Sequence, residues 1–349
     1  MKFWDREKEK EWLKRYLKSE PNAILFVYGP KSSGKSTLLN RVVEELSKDE
    51  FVYYWYDLRE KVIANYKNVL EIFFKEKGWL KEFITAVMPK INIGVFEVEP
   101  QRLEKVLSGK LDAFEEMRKE LEKVKRTGKK PVIVFDELQK LKDVYMNGNG
   151  DGQKSQRPLV KELFNFFVRL TKVLHLSHVI VMSSDTFFIE EVYSNSVLSN
   201  TSEFYLVDFF DDKTAIKILI EEGIDERVAK EVISRIGGVP WMMERVLSNG
   251  NLFEKLESLY IATKGIIREA LGDIYDENEE LYKNVVNVLK KAINGKRLSI
   301  PGKDRKFLKV LVEREILFYD PIKGEIRFQT KLHERAAKEL LKECIPQLQ

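Results

Sequence analysis

The stretch Gly29-Pro30-Lys31-Ser32-Ser33-Gly34-Lys35-Ser36 constrains this chain more than any other, because it reads G-x-x-x-x-G-K-[ST] and stands where such a loop can work. Before it, Ala23 to Tyr28 is an unbroken apolar run of strand length; after it, Thr37, Leu38, Leu39, Val42, Val43 and Leu46 recur at helical spacing. Gly29 and Gly34 let the backbone turn on either side of Pro30 and bring its N–H groups, those of Lys31, Ser32 and Ser33 among them, close to phosphate oxygens. The helix beginning near Lys35 adds partial positive charge at its N-terminus. Lys35 is placed to reach the β- and γ-phosphates, Ser36 to offer a hydroxyl to Mg²⁺, and Thr37 to touch the α-phosphate. The expectation is an α/β domain that holds ATP or ADP with Mg²⁺. A glycine-rich turn without a ligand is the alternative, and the strand before and helix after weigh against it.

Further strand-like runs occur at 51–57, 131–136, 178–184 and 203–208, separated by long helical patterns, an alternation that predicts a parallel sheet covered by helices. After Asp208 the strand pattern stops. Residues 212–222, 226–237, 240–249 and 252–271 read as amphipathic helices, 279–294 as another and 304–315 as a further one. Residues 316–319 and 325–328, joined by Asp320-Pro321-Ile322-Lys323-Gly324, carry a hairpin signal. Helices followed by a hairpin suggest a winged-helix unit. The expected domains are therefore a nucleotide-binding unit over 1–208, a helical lid over 209–274 and a winged-helix unit over 275–349. Asn147 to Gln153, rich in Gly and Asn, reads as a loop.

A phosphate loop holds nucleotide without hydrolysing it, so a second group has to act on water. Val132 to Phe135 is an apolar strand ending in Asp136-Glu137. Asp136 is placed to hold Mg²⁺ through water and Glu137 to polarise an attacking water as general base. The next apolar strand, His178 to Met182, ends in Ser183-Ser184-Asp185. Of these Ser184 is the catalytic candidate, able to hold the lytic water or sense the γ-phosphate; capping of the strand end explains either serine equally well.

In this order the phosphate loop, the acid pair and the serine-ended strand resemble the archaeal ATPase family, AAA+-related and STAND-like P-loop proteins akin to archaeal Orc/Cdc6 initiators. Phe3-Trp4-Asp5-Arg6-Glu7-Lys8-Glu9 is similar to the family's F-x-x-R-x-x-E box, and Gly237-Gly238-Val239-Pro240 to its G-x-P lid element. The resemblance implies an ASCE/AAA+-type sheet in the order 5-1-4-3-2, with Arg6 beside the adenine and Pro240 against base and sugar. It covers about residues 3–250 by motif and the tail more weakly. Many relatives carry Gly-Arg shortly before the last strand, whereas Ser194 to Ser202 here holds no Arg or Lys. An arginine finger from that position is absent, and since such a residue is worth about 10³ or more in rate, slow intrinsic turnover is expected. Arg245 and Arg235 are substitutes for a lid arginine or members of surface ion pairs.

Composition narrows the rest. The 349 residues, 44% of them apolar, suit an ordinary globular protein with room for two or three domains. No apolar run approaches the ~20 residues of a membrane helix, and the N-terminus lacks a signal-peptide core, so no membrane and a cytoplasmic location are expected. One cysteine, Cys344, excludes an internal disulfide, and His175, His178 and His333 show no metal-ligand spacing. Charged residues reach 33%, a composition common in proteins from hot environments. From Lys283 onward there are 16 Lys and Arg against 8 Asp and Glu, so the positive excess of the whole chain, 60 against 56, lies in its last fifth. Lys296, Arg297, Lys303, Arg305, Lys306, Lys309 and Lys323 are candidates for double-stranded or branched DNA through its phosphates; contact with a protein partner or a second copy is the other reading of the same tail. The aromatic runs Tyr53 to Tyr56 and Phe164 to Phe167 sit in strand and helix patterns and are expected in the core. Two functions follow: an ATPase coupled to a basic tail in DNA maintenance, and a slow ADP/ATP-switched scaffold that binds a protein.

Overall fold

Five apolar runs build the centre of the molecule as parallel strands β1 (Ile24–Tyr28), β2 (Phe51–Asp57), β3 (Lys130–Asp136), β4 (His178–Ser183) and β5 (Ser202–Leu206), in the order β5-β1-β4-β3-β2. The computed structural model describes residues 4–47, 49–59, 62–76, 94–146, 157–195, 198–248, 250–295 and 302–344. Every residue of β1 and β4 is buried, the pattern of inner strands covered on both faces by helices, whereas β5 at one edge is mostly half-exposed. Helices α1 (Glu7–Lys18), α2 (Lys35–Glu45), α3 (Tyr66–Phe73), α4 (Pro100–Leu107), α5 (Ala113–Arg126), α6 (Leu159–Val168) and α7 (Thr186–Tyr193) accompany this sheet. The aromatic runs are core: Tyr54 stacks on Phe96 with ring centres 4.4 Å apart, and Phe135 on β3 lies 5.3 Å from Phe167 and 5.2 Å from Tyr56.

Contacts divide the chain into two compact units. One comprises Arg6–Tyr28 and Lys35–Leu206; the other comprises Met1–Asp5, Gly29–Gly34 and Val207–Gln349. In the second unit α8 (Asp212–Glu221), α9 (Glu226–Ile236), α10 (Pro240–Leu247) and α11 (Leu252–Glu277) are followed by α12 (Glu279–Ile293), α13 (Arg305–Glu313), the antiparallel hairpin β6 (Leu317–Asp320) with β7 (Glu325–Phe328), and α14 (Lys331–Cys344). Several helices start on side-chain caps: Asp211, Asp225, Asn251 and Asn278 each accept a backbone N–H of the first turn. The hairpin closes on Asp320, whose Oδ1 accepts the N–H groups of Ile322 and Lys323, while Gly324 takes φ 69°. No helix among the described residues is long and apolar enough to cross a membrane.

Several boundaries differ from the sequence reading; the strand expected over 203–208, for one, is Ser202–Leu206. The 252–271 helix runs on to Glu277, so the expected lid–tail boundary after residue 274 falls inside α11. That helix is also tied to α14: Lys264 Nζ lies 2.6 Å from Glu339 and 2.7 Å from Glu343, Tyr260 hydrogen-bonds Glu339, and the Arg335 guanidinium lies 4.1 Å from the Tyr260 ring centre. Lid and tail residues thus share one unit. The helix expected over 304–315 stops at Glu313, because Glu315 turns to φ 58°, outside helical space. The Gly- and Asn-rich loop at 147–153, and Lys296 and Arg297 of the tail, lie outside the described residues.

Candidate functional site

In a parallel sheet all strands deliver their last residues to one edge, and ligands of open α/β folds bind there. The register aligns Asp57 of β2 with Asp136 of β3, Asp136 with Met182 of β4, and Tyr28 of β1 with Ser183 of β4. Polar residues that follow four separate apolar runs are therefore collected at one end.

The loop after β1 has the backbone its glycines allow. Gly29 (φ 150°), Ser32 (φ 59°) and Gly34 (φ 94°) all have positive φ, and the Ser33 N–H closes back on the Pro30 carbonyl at 3.2 Å. Such reversals turn successive N–H groups toward one side and form a concavity for an anion. At Gly34 a side chain would meet nothing within 4 Å, so conformation and not space calls for glycine there. Pro30 and Ser33 are buried; Lys31 and Ser32 are exposed, with Lys31 Nζ 2.5 Å from Glu315.

Lys35 opens α2 and is buried. Burial pushes its ammonium down to about 8, against the opposing attraction of Glu137 and Asp136. Ser36, next on the helix, donates its hydroxyl to Asp136 Oδ2 at 2.7 Å. Thr37 is half-buried on the same turn. Asp136 is 1% exposed, and burial raises its carboxyl above the usual range although Ser36 and Arg59 oppose the rise. A hydroxyl and a carboxylate in direct contact are hard oxygen donors, the ligand type Mg²⁺ takes, so the residues present fit that ion.

Glu137 has φ 62° and ψ 49°, a left-handed conformation that costs a non-glycine residue of order 1 kcal/mol or more. Its neighbours impose it. The Glu137 N–H donates to the Met182 carbonyl at 2.8 Å, and the Asp136 carbonyl accepts from the Leu58 N–H at 3.1 Å, so the chain is held from the strands on both sides. The carboxylate is held as well: Ser184 Oγ donates to Oε1 at 2.9 Å and Gln139 Nε2 donates to Oε2. Gln139 is itself steadied by the Ser183 hydroxyl at 2.9 Å. Ser184 therefore meets the acid directly, while Ser183 acts on it through Gln139 and also accepts the Asp185 N–H at 3.0 Å.

With this arrangement in view, comparison with known proteins is decisive. Residues 3–246 match the family model of an ATPase domain predominantly from Archaea, and residues 254–341 match the C-terminal domain of uncharacterized MJ1010-like ATP-binding proteins. The chain belongs to this archaeal ATPase family. An uncharacterized ATP-binding protein of Methanocaldococcus jannaschii is 41% identical over 98% of this chain and 95% of its own length, and one of Pyrococcus abyssi is 32% identical over 97% and 99%. Among solved structures, the Aeropyrum pernix ORC2 protein aligns with 97% of this chain and 95% of that one at 11% identity and a TM-score of 0.48, a likeness too distant to bear on the site. Membership of the archaeal ATPase family, with relatives named ATP-binding proteins aligned along almost their whole length, supports ATP binding by this chain.

The remaining candidates in this family member fall as follows. Arg6 is 6% exposed at the start of α1 and pairs with Glu9 at 3.0 Å. Pro240 is buried as the first residue of α10 in the other unit, after Gly237 at φ 70° and Gly238. A Cβ on Gly238 would stand 2.1 Å from the Phe210 carbonyl oxygen, an approach only glycine permits. Arg235 is paired with Glu231 at 2.5 Å, the surface ion-pair reading of that residue. His175 Nδ1 meets the Pro21 carbonyl at 2.7 Å and His178 Nε2 the Ser19 carbonyl at 3.1 Å; both pin the chain that leads into β1.

Three residues of the cluster escaped the sequence reading: Asp57, which ends β2, and two others. Gln139 follows the acid pair by two positions in Glu137-Leu138-Gln139, and Arg59 follows the last residue of β2 by two in Asp57-Leu58-Arg59. The signal that singled out Asp136, an acid at the end of an apolar strand, applies equally to Asp57, whereas Arg59 carries no such signal.

Proposed function

We propose that this chain is a Mg²⁺-dependent ATPase, splitting ATP to ADP and phosphate with low intrinsic turnover, and that its nucleotide state is coupled to the basic C-terminal region. The observation that carries the reading is the Glu137 carboxylate, fixed by Ser184 and Gln139 one residue beyond an acid bonded to the phosphate-loop serine. In this reading residues 29–34 and Thr37 bind the phosphates, Lys35 neutralises the β- and γ-phosphates, and Ser36 and Asp136 hold Mg²⁺. Bound there, the ion offsets the charge that develops on the phosphoryl oxygens. Glu137 orients and deprotonates the attacking water, and Ser184 keeps the carboxylate aimed. Arg6 and Pro240 flank the nucleoside. The helices that follow residue 208 act as a lid that closes on nucleotide, and only contacts that differ between its open and closed forms can pass that state to the winged-helix residues of the same unit. On that tail Leu308 and Leu311 are buried, and among the described residues Lys303, Lys306 and Lys323 have no ion pair, a surface suited to DNA phosphates.

A second reading is a cytoplasmic ADP/ATP-switched scaffold, monomeric or self-associating, that binds a protein partner. It is favoured by the lack of any Arg or Lys in 194–202. Steady-state ATP hydrolysis by the purified chain, with and without double-stranded and branched DNA and beside Lys35→Ala, tests both. Turnover that rises with DNA and vanishes in the variant supports the first. Slow turnover indifferent to DNA, with nucleotide retained through purification, supports the second.

A further inference from the structure

Asp136 Oδ2 is the meeting point of two donors. It accepts the Ser36 hydroxyl at 2.7 Å and lies 2.9 Å from Nη2 of Arg59. The guanidinium arrives from β2 and is gripped by Asp57, with Nε 3.0 Å from Oδ1 and Nη2 2.7 Å from Oδ2; the Arg59 N–H also donates to Asp57 Oδ1 at 2.9 Å. The two partners of the Arg59–Asp136 pair are unlike. The Asp136 side chain is 2% exposed, whereas that of Arg59 is 49% exposed and has solvent to move into. Asp57, Asp136 and Glu137 bring three carboxylates to adjoining strand tips, and Arg59 and Lys35 are the cations that face them.

We propose that Arg59 is the resident counter-cation of the metal site. It neutralises Asp136 while no divalent ion is present and is displaced, still leashed to Asp57, when Mg²⁺ is taken up at Ser36 and Asp136. The inference rests on the reading of those two residues as the metal-holding pair. Its physical content is competition at one oxygen: Oδ2 already accepts the Ser36 hydroxyl, and a guanidinium and a divalent cation brought to the same carboxylate repel each other. The ion's affinity is therefore set partly by how firmly Arg59 is held. Arg59 is a positioning residue in this role, since its ion pair holds the buried acid in place until the ion arrives.

The test is Mn²⁺ affinity of the full chain with saturating ADP, read from the free Mn²⁺ signal in electron paramagnetic resonance, for the parent, Arg59→Ala, Arg59→Gln and Lys140→Ala. Lys140 lies in the same cluster, its Nζ donating to the Arg59 carbonyl at 3.0 Å, and its loss removes a charge without touching Asp136. Removing the competitor should tighten Mn²⁺ binding about tenfold in both Arg59 variants, the size expected for loss of one charge-assisted hydrogen bond to the ion's own ligand. Arg59→Gln keeps a hydrogen-bonding side chain and reports if the alanine variant fails to fold. Lys140→Ala should stay within about twofold of the parent. Unchanged or weaker Mn²⁺ binding in the Arg59 variants overturns the proposal, as does equal tightening in Lys140→Ala. A parent that holds ADP but no Mn²⁺ overturns the metal reading beneath it.

Discussion

The strand tips at β2–β4 and the outer faces of α11–α14 are both rich in charge, yet they use it differently. At the tips Lys35 and Asp136 are buried, and their ordinary proton affinities are displaced by that burial. Among the helices exposed, local pairs occur, Lys283 with Glu279 at 2.8 Å, Lys309 with Glu313 at 3.6 Å and Lys338 with Glu334 at 2.5 Å, each four residues apart on one helix, beside longer-range pairs such as that of Lys264 with Glu339. A charge shielded from water interacts strongly with its neighbours; a charge in water is screened and its pair contributes little. A count of lysines therefore says less about a surface than the burial and partners of each one.

Three substitutions sharpen or break that contrast. The largest effect is expected from Glu137→Gln, which keeps the shape of the side chain and removes the carboxylate proposed as base. ATP hydrolysis should fall about 10²- to 10⁴-fold while nucleotide affinity changes little. Hydrolysis at the parent's rate would remove Glu137 from the mechanism.

Next is Lys35→Met, read through pH. The folded chain releases the Lys35 proton near about 8, whereas the unfolded chain keeps it to the ordinary value of 10.5. Between those values the unfolded state binds more protons, so the contribution of Lys35 to stability rises with pH across that window, by up to about 3 kcal/mol. Below it the lysine is charged in both states and its burial is a constant cost. Urea unfolding of the nucleotide-free protein should thus show the parent gaining on Lys35→Met from pH 8 to 10.5, and a flat difference would mean that the buried ammonium is not strained. The smallest effect belongs to Lys338→Ala on α14. Its thermal unfolding should match the parent within about 0.5 kcal/mol, and a loss several times larger would show that the helical charges are as tightly coupled as those of the strand tips.

The fold was legible where local pattern and packing agree. β1, β3 and β4 are short apolar runs bounded by polar residues and are fully or almost fully buried as strands. Helix ends were less so: Glu277 rather than residue 271 ends α11, because its last turns continue the packed face through Ile274. In the site, Asp136 and Glu137 stood out as acids on an apolar strand, and Ser184 as a hydroxyl beyond another. Arg59 did not stand out, since a lone arginine after a strand is commonplace until its partner is known.

What the amino-acid sequence determined by itself is whatever depends on neighbours along the chain: the phosphate loop between β1 and α2, the periods of strands and helices, and the acid pair at the end of β3. Tertiary structure alone decided that Ser36 touches Asp136 across 100 positions, that Ser184 grips Glu137 across 47, and that Arg59 reaches Asp136. The reason is the sheet order. β3 lies between β2 and β4, and parallel register delivers all their C-terminal ends to one edge, so distances that the sequence spreads over many residues shrink to a hydrogen bond.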